Sequence, residues 1–328
     1  MHYTKPIAFL CLLFVLVSCN NAADSPYPTI TFEKKTPMPG IGRASSIAFV
    51  IDGKAYITLG RNADNNDSLK DCWQYNPNND SWTKKAPFPG IARVKAMATV
   101  LNDTAYVGLG FRKNTGAYTG GVLTDFWMYD AKNDSWTRKA DLPSKASNAC
   151  VSFTYNNCIY IGSGFDNSYF SREFWKYIPS QNKWVALKDF EGAHRACAVA
   201  CSNGEHIFFG TGYRTLSETD WWEYYPTNDS WKKLKSMPDD GRENAVSLAI
   251  NKRIFVATGR HFGGPQTGGN VKSDILEYDI ARNVWYERGN LPAEGRENSI
   301  SFTINGKGYI GFGDNDAKVL NDFWSFQP

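Results

Sequence analysis

Five arginines recur at one position of an internally repeated sequence. Each lies eleven residues after a tryptophan or, in the first unit, after Phe32, and the third unit has Ser147 at this position. A guanidinium offers a planar set of donors that matches carboxylates and phosphates. If these side chains surround one axis, the sequence predicts an anion-binding ring of Arg43, Arg93, Arg195, Arg242 and Arg296.

Acidic residues beside these arginines leave two interpretations open. Glu243 and Glu297 directly follow Arg242 and Arg296, and a carboxylate held beside a bound sugar could act as a general acid or base. The alternative is that neighbouring acids only neutralise the arginines, in which case the pairs are structural. The acids close enough in sequence are Glu243, Glu297, Asp239, Asp240 and Glu294.

Two fourteen-residue insertions carry aromatic residues that could bind a ligand. They are FRKNTGAYTGGVLT at 111–124 and RHFGGPQTGGNVKS at 260–273. Binding residues are concentrated on variable loops, so these segments are expected to contribute stacking side chains. The candidates are Phe111, Tyr118, His261 and Phe262. The alternative is that glycine-rich loops of this length are only mobile.

The elements that must position these residues are short strands. From each Arg or Ser position, the next seventeen residues align without a gap and end in a glycine, with an aromatic residue four positions earlier. Dipeptides such as Asp52-Gly53 and Asn305-Gly306 lie midway and favour tight hairpins. After a variable insertion, an acidic residue opens a third strand of the D-F-W-x-Y type, and in the first five units the Trp of the fourth strand follows eleven residues later. The period is roughly 50 residues, with four strand signals in each unit.

This pattern resembles the kelch repeat over essentially the whole chain after residue 29. The shared marks are the glycines that end the second strand, such as Gly110, the aromatic residue before them, such as Tyr106, and the Trp of the fourth strand. The adjacent glycine pair of the family is mostly replaced here by G-x-G, as in Gly108-Leu109-Gly110. The resemblance implies an all-β fold, a six-bladed kelch-type β-propeller with four strands in each blade.

The chain ends one strand short of its sixth unit. The phrase ITFEKKTPMP, with Phe32 in the place of Trp, supplies the missing outer strand, so residues 30–38 are predicted to complete the last blade and close the ring. The predicted division is a signal peptide at 1–18, a lipidated Cys and tether at 19–29, and one propeller domain at 30–328.

The N-terminal segment predicts export and a lipid anchor. An apolar run from Ile7 to Val17 has the length of a signal-peptide core and is too short to span a bilayer. It ends in Leu-Val-Ser-Cys at 16–19, which resembles a bacterial lipobox with Cys19 as the lipidated residue. An ordinary secretory signal is the alternative. The expected location is the cell envelope, at the outer membrane or facing the periplasm, held by lipid alone.

Several classes of function lack support in the sequence. The formal charge of +3 gives no reason to expect nucleic acid. No metal-spaced Cys/His cluster is present, so neither a metal nor another cofactor is expected, and the five cysteines after Cys19 are interpreted as small buried apolar residues. Copper-radical galactose oxidases share the repeat, but their chemistry needs two histidines and a Tyr–Cys pair, for which no pattern is evident.

Three functions remain. The first is a binding module for a protein or glycan ligand, anionic if the arginines bind it, through the face that carries the arginines and long loops. The second is an enzyme: the chain resembles kelch-type sialic acid epimerases (mutarotases) in fold and compartment, without a matching catalytic motif. The third is a structural part of an envelope complex, which fold alone does not distinguish from the others.

Overall fold

A computed structural model describes residues 25–114, 119–145, 148–266 and 268–328. Six four-stranded antiparallel sheets are arranged as blades around a central channel. Each innermost strand packs against the innermost strands of two neighbouring blades, and the sixth packs against the first. The prediction of an all-β, six-bladed propeller is confirmed. No helix in the described ranges is long and apolar enough to cross a membrane.

The strands follow one another outwards from the channel in each blade. Blade 1 comprises Ile47–Ile51, Lys54–Thr58, Cys72–Asn76 and Ser81–Lys85; blade 2, Met97–Leu101, Thr104–Gly108, Phe126–Asp130 and Ser135–Lys139; and blade 3, Val151–Tyr155, Cys158–Gly162, Phe174–Ile178 and Lys183–Ala186. Blade 4 comprises Val199–Ser202, Ile207–Gly210, Trp221–Tyr225 and Ser230–Lys233; blade 5, Val246–Ile250, Arg253–Ala257, Asp274–Asp279 and Val284–Asn290; and blade 6, Ile300–Ile304, Lys307–Gly311, Phe323–Gln327 and Thr31–Lys34.

The ring closes through the N-terminal strand, as the sequence predicts. Thr31–Lys34 pairs antiparallel with the last strand, with Phe32 opposite Phe326 and Thr31 opposite Gln327. The Phe32 ring is half-buried and packs against a core that includes Ile30 and Phe326. The two ends of the chain therefore complete one sheet.

Burial explains why the first two strands of a blade differ in composition. In Val246–Ile250, buried Val246, Leu248 and Ile250 alternate with half-buried Ser247 and Ala249, the period-two pattern of a strand with one covered face. The second strand is apolar at nearly every residue, because neighbouring blades cover both of its faces. Its glycine-rich end is constrained too: a Cβ on Gly110, at φ +91°, would lie 2.6 Å from the carbonyl oxygen of Val94.

The repeated Asp-Ser-Trp phrase joins outer strands to the preceding blade. In blade 2, Trp136 Nε1 donates to the carbonyl oxygen of Ala86, and the Ala86 amide donates to Asp134. Asp134 also accepts a hydrogen bond from the Tyr129 hydroxyl of its own blade. One phrase thus satisfies polar groups of two blades at once.

The two faces of the propeller are different. The upper face, as we define it, carries the starts of the innermost strands and the insertions between the second and third strands. The lower face carries tight turns such as Asp52-Gly53, where both residues have positive φ, as type I′ hairpins require. Two upper insertions form small hairpins, Phe111–Arg112 with Gly121–Val122 and Arg260–Phe262 with Gly269–Val271. In blade 1 the insertion residues Arg61–Asn62 pair instead with Arg43–Ala44, the segment before the innermost strand.

Removal of residues 25–34 is expected to lower the thermal midpoint by about 5 °C or more, because blade 6 would keep three strands and an exposed edge. Phe32→Ala alone should cost about 1–3 kcal/mol, below the value for a fully buried ring. Circular dichroism melting checks both. A chain that begins at residue 25 is the matched control, and equal midpoints for the two truncated chains would contradict closure by this strand.

Candidate functional site

The five repeated arginines are buried and paired. Their exposed fractions are 0–3%, and each guanidinium binds the aspartate that opens the third strand of the same blade. In blade 2, Arg93 Nη1 and Nη2 lie 2.7 and 2.8 Å from the two carboxylate oxygens of Asp125, and Nη1 also donates to the Leu109 carbonyl. The other pairs are Arg43–Asp71, Arg195–Asp220, Arg242–Asp274 and Arg296–Asp322.

This placement contradicts the expectation of an open ring of free guanidiniums. The arginines bind carboxylates of their own chain, so the interpretation of structural pairing holds, although with other partners than the sequence neighbours considered above. Only Arg242 uses one of those neighbours through its side chain, Asp239. Burial raises the pKa of Asp125, but the hydrogen bond and the charge of Arg93 outweigh this effect and hold its pKa below the usual value.

Blade 3 lacks both members of the pair. Ser147, which replaces the arginine, lies outside the described residues, and Glu173 replaces the aspartate. The Glu173 carboxylate accepts hydrogen bonds from Ser144 Oγ at 2.6 Å and from Trp175 Nε1 at 3.2 Å. Glu173 is exposed, so water solvates its carboxylate and it does not require a guanidinium partner as a buried carboxylate would.

A collar of six residues surrounds the channel just above the innermost strands. Each collar residue lies two positions after the repeated Arg or Ser and has φ between 53° and 57°. Its amide donates to the carbonyl of the preceding collar residue at 2.9–3.3 Å, and the first donates to the last, so that the hydrogen bonds form a closed circle. The collar residues are Ser45, Lys95, Ala149, Cys197, Asn244 and Asn298.

Lys95 crosses the channel at the level of the collar. Its Nζ donates to Asn244 Oδ1 in the opposite blade and to Asn298 Oδ1, the latter at 2.6 Å, and lies 3.8 Å from Cys197 Sγ. A cavity of about 160 Å³ adjoins it, lined by small side chains such as Ser46 and Ala96. The ammonium is thus held at the axis by two amide oxygens and makes no ion pair within the described part of the chain.

Charged side chains occupy one half of the channel mouth, on blades 5, 6 and 1. Arg260 Nε lies 2.6 Å from Glu297 Oε1, and Glu297 Oε2 accepts from Asn244 Nδ2 at 2.7 Å. Asp314 accepts from Arg61 Nη2 at 2.7 Å and from Asn298 Nδ2 at 3.0 Å. Opposite charges are therefore interleaved directly above the collar.

Glu243 is the member of this half whose carboxylate lacks a hydrogen-bond donor among the described residues. Burial raises its pKa to about 6, with a further increase from Glu297, against the lowering effects of Lys95 and Arg260. Burial likewise raises the pKa of Asp314. A carboxyl group with a pKa close to neutrality is the kind of group that a general acid or base needs.

Aromatic side chains occupy the other half of the mouth, on blades 2, 3 and 4. The residue after the repeat glycine is Phe111, Phe165 or Tyr213 here, where the charged half has Arg61, Arg260 and Asp314. Around them the ring centroids of Phe165 and Phe170 are 4.8 Å apart, and Phe170 and Tyr213 are 5.7 Å apart. Phe262 extends this wall from blade 5, with its ring 5.8 Å from Tyr213.

The structure places some of the residues predicted from the sequence at the channel mouth and others elsewhere. Phe111, Phe262, Glu243 and Glu297 lie at the mouth, whereas Tyr118 lies outside the described residues. His261 is half-buried, and its Nδ1 has no partner among the described atoms; strand alternation directs it away from Arg260 and Phe262. Sequence reasoning missed Lys95, Asn244, Asn298, Arg61, Arg260, Asp314, Phe165, Phe170 and Tyr213. Their signal was variation at fixed repeat positions, most clearly a lysine where other units have Ser, Ala, Cys or Asn.

Comparisons with known proteins support the architecture. No protein-family model matches the chain, and no curated protein matches it by sequence. A solved structure titled "Structure of YjhT" aligns with a TM-score of 0.76 and 19% identity, over 88% of this chain and 95% of that chain. The likeness establishes the fold. At this identity it carries no activity across, and since 766 chains of solved structures match, the fold does not single out a function.

Arg93→Ala should cost about 3–5 kcal/mol of unfolding free energy, because the Asp125 carboxylate would remain buried without its partner. The double variant Arg93→Ala/Asp125→Ala should lose less than the sum of the two single losses. Urea denaturation measures all three. Arg138→Ala, which breaks the exposed pair with Asp141, is the control and should cost under about 1 kcal/mol. Additive losses at positions 93 and 125 would contradict the pairing.

Glu243→Gln should stabilise the protein at pH 8 and not at pH 4. The folded-state pKa of Glu243 lies near 6, above its ordinary value of 4.5, so wild-type stability falls as pH rises between these values and stays reduced above them. Glutamine does not ionise and escapes this loss, which is about 2 kcal/mol. Denaturation at both pH values checks the difference, with Glu205→Gln on the lower face as control. A gain for Glu243→Gln that is the same at pH 4 and pH 8 would contradict the raised pKa.

Proposed function

We propose that the protein is an exported, lipid-anchored binding module whose channel mouth holds a carbohydrate with an acidic group. One observation carries this proposal: the mouth is charged on one side and aromatic on the other, with a lysine ammonium at its centre. Concave sites with apolar walls and a few convergent polar groups are typical of small-molecule binding. The kelch-type assignment of the repeat is part of the proposal.

Each part of the mouth matches one part of such a ligand. The Lys95 ammonium, whose third proton is directed only to the weak acceptor Cys197 Sγ, would bind the carboxylate. Carboxylates and guanidiniums of the charged half would exchange hydrogen bonds with hydroxyl groups. The rings of Phe165 and Tyr213 would pack against the apolar C–H face of the sugar.

The charge balance of the mouth favours a ligand with one negative group over a polyanion. Three cations, Lys95, Arg61 and Arg260, face the carboxylates of Glu243, Glu297 and Asp314, and the exposed Asp316 also binds Arg260. Arg260 and Arg61 are already bound to Glu297 and Asp314. This leaves Lys95 to bind an incoming anion, while the remaining groups are suited to polar, uncharged parts of the ligand.

The anchoring part of the proposal is supported by the sequence of the N-terminal segment. The apolar run to Val17 and the phrase Leu-Val-Ser-Cys at 16–19 match a lipoprotein signal with Cys19 as the modified residue. The corresponding location is the bacterial cell envelope. Residues 1–24 lie outside the described residues, so the support is from sequence alone.

A second candidate function, sugar-acid epimerisation or mutarotation, is favoured by Glu243. Its carboxylate has a pKa near 6 and lies at the same mouth as Lys95. Lys95 would hold the ligand carboxylate. Glu243 would take the proton of the anomeric hydroxyl and deliver it to the ring oxygen as the bond from the anomeric carbon to that oxygen breaks and a carbonyl forms; the reverse steps close the ring on the other face. This chemistry requires only groups that the mouth contains.

Binding is tested with residues 20–328 and a panel of neutral monosaccharides and sugar acids, including N-acetylneuraminic acid, by isothermal titration calorimetry. Lys95→Met should weaken sugar-acid binding about 10–100-fold, the scale of one lost charge-assisted hydrogen bond. Tyr213→Ala should weaken both acidic and neutral ligands. Added salt should reduce the affinity of the acids alone.

Lys252→Met on the lower face is the matched control, since this lysine is exposed and pairs with the exposed Glu205. Sugar-acid binding that is unchanged in Lys95→Met would overturn the proposed site. Binding of a protein partner that is independent of both Lys95 and Tyr213 would assign the function to the rest of the upper face.

Mutarotation is tested by NMR saturation transfer between the two anomers of N-acetylneuraminic acid. Glu243→Gln should abolish catalysed exchange while retaining binding, because the amide keeps the shape of the side chain and loses the titratable proton. If the wild-type protein binds the sugar acid but does not catalyse exchange between its anomers, the mutarotase hypothesis is excluded and the binding-module proposal stands.

A further inference from the structure

Blade 3 lacks a cation at two positions that carry one in other blades. The first is the position of the repeated arginine, which is Ser147 here. In blade 2 the Arg93 guanidinium binds both carboxylate oxygens of Asp125. The carboxylate of Glu173 in blade 3 is bound only by a hydroxyl and an indole among the described residues, so it makes no ion pair with them.

The second position lies on the outer strand, opposite a tryptophan of the third strand. Four blades place a lysine or an arginine there. Three of these cations lie over the indole ring, at 5.7–5.9 Å from its centroid: Arg138 over Trp127, Lys34 over Trp324 and Lys233 over Trp222. In blade 3 the residue opposite Trp175 is Ala186, so no cation of the outer strand covers this ring.

A cavity of about 370 Å³ opens at Glu173 and Trp175, on the upper side of blade 3. Tyr169 and Phe170 also line it, and Tyr169 is 77% exposed. We call it the blade 3 cavity. Blade 6 has a cavity lined by equivalent residues, and there Arg296 lies in the wall. The blade 3 cavity thus adjoins the place where another blade holds a guanidinium.

A guanidinium matches the groups that the blade 3 cavity presents. Its planar donors bind a carboxylate through two parallel hydrogen bonds, and its face stacks on aromatic rings. Blade 2 makes both contacts with arginines of the chain itself, Arg93 at the carboxylate and Arg138 at the indole. Glu173 and Trp175 offer the same two groups, an exposed carboxylate and a half-buried ring, without either arginine.

The other charged residues of the cavity wall are Asp166 and Lys145. Asp166 accepts hydrogen bonds from the amides of Ser168 and Tyr169. These hydrogen bonds, together with the charge of Lys145, hold the pKa of the Asp166 carboxyl below its usual value. Two carboxylates therefore face one ammonium in the wall, and the excess negative charge favours a cationic ligand.

We propose that the blade 3 cavity is a second binding site, separate from the channel mouth, which takes an alkylguanidinium group. The Glu173 carboxylate accepts the paired hydrogen bonds of this group, and the Trp175 and Tyr169 rings pack against its planar face. The group comes either from a small guanidino compound or from an arginine side chain of a polypeptide. The site does not depend on Lys95 or on an acidic sugar.

The test titrates the full chain, purified in detergent, with N-ethylguanidinium and follows binding by saturation-transfer NMR. Ethylammonium, which has the same charge without the planar donors, should bind at least fivefold more weakly. Glu173→Gln should weaken N-ethylguanidinium binding about tenfold, the scale of one lost charge-assisted hydrogen bond. Glu205→Gln is the matched control, because it removes one negative charge from an exposed pair with Lys252 on the lower face, and it should leave binding unchanged.

Two further variants supply a cation from the chain itself. Ala186→Arg places a guanidinium opposite Trp175, as Arg138 is placed opposite Trp127, and Ser147→Arg restores the repeated arginine. Each should weaken N-ethylguanidinium binding at least tenfold while the circular dichroism spectrum stays that of the wild type. Absence of binding to the wild-type chain would overturn the proposal. Binding that is unchanged in Glu173→Gln and Ala186→Arg would overturn it as well, whether or not Ser147→Arg folds.

A capped Gly-Arg-Gly peptide distinguishes the two sources of the guanidinium. Tighter binding of the peptide than of N-ethylguanidinium, with a loss in Glu173→Gln, would assign the site to arginine in a polypeptide. Weaker binding of the peptide, with the same loss, would assign it to a small guanidino compound. Peptide binding that does not depend on Glu173 would contradict the use of this cavity.

Discussion

The buried Arg–Asp pair is the interaction on which the upper part of the molecule depends. It joins the segment before the innermost strand to the start of the third strand, as in Arg93 and Asp125, and so fixes the distance between the inner and outer parts of a blade at the upper face. Two residues later the chain turns into the left-handed region and donates its amide to the preceding blade. The collar, and the mouth above it, are built on this fixed position.

A buried ion pair contributes little net stability, because the desolvation of both charges offsets most of their attraction, but it can favour one arrangement of the chain over others. Two parallel hydrogen bonds and a third to a main-chain carbonyl satisfy the Arg93 guanidinium towards the blade interior. The Trp127 indole Nε1 donates a further hydrogen bond to Asp125 Oδ2. Because each group has its partners in one geometry, a shifted register would leave charges unpaired, and the pair selects a single arrangement of the blade.

The fold was readable from the sequence because it repeats. Strand order, the turn dipeptides and the outer strand supplied by Phe32 all follow from local signals that recur six times. The site was not readable in the same way, since the constant arginines attracted the functional interpretation and the structure buries them. In a ring of equal units the constant positions must satisfy the contacts between blades, and only positions that differ between units, such as Lys95 and Tyr213, are free to serve a ligand. Which of those positions face the axis depends on the collar geometry, which spacing alone does not give.

The mouth is divided into two halves because the side chains at these positions are not needed for contacts between blades and can differ from unit to unit. The residue after the repeat glycine is charged in blades 5, 6 and 1 and aromatic in blades 2, 3 and 4, although its main chain makes the same bridge in every unit. Six equivalent places are thus used to give one asymmetric surface. Lys95, placed by blade 2 and bound by Asn244 and Asn298 from the far side, lies where the two halves meet.

The closure of blade 6 by both ends of the chain also sets an order of events during synthesis. A ribosome delivers Thr31–Lys34 first and its partner Phe323–Gln327 last, so the first strand waits unpaired while almost the whole chain is made. Pairings of such high sequence separation form late, and an unpaired strand edge invites other chains to add to it. Glu33, Lys34 and Lys35 place three consecutive charges on this waiting segment. Those charges oppose association with other chains until the last strand arrives, so the residues that close the ring also protect the chain before it is complete.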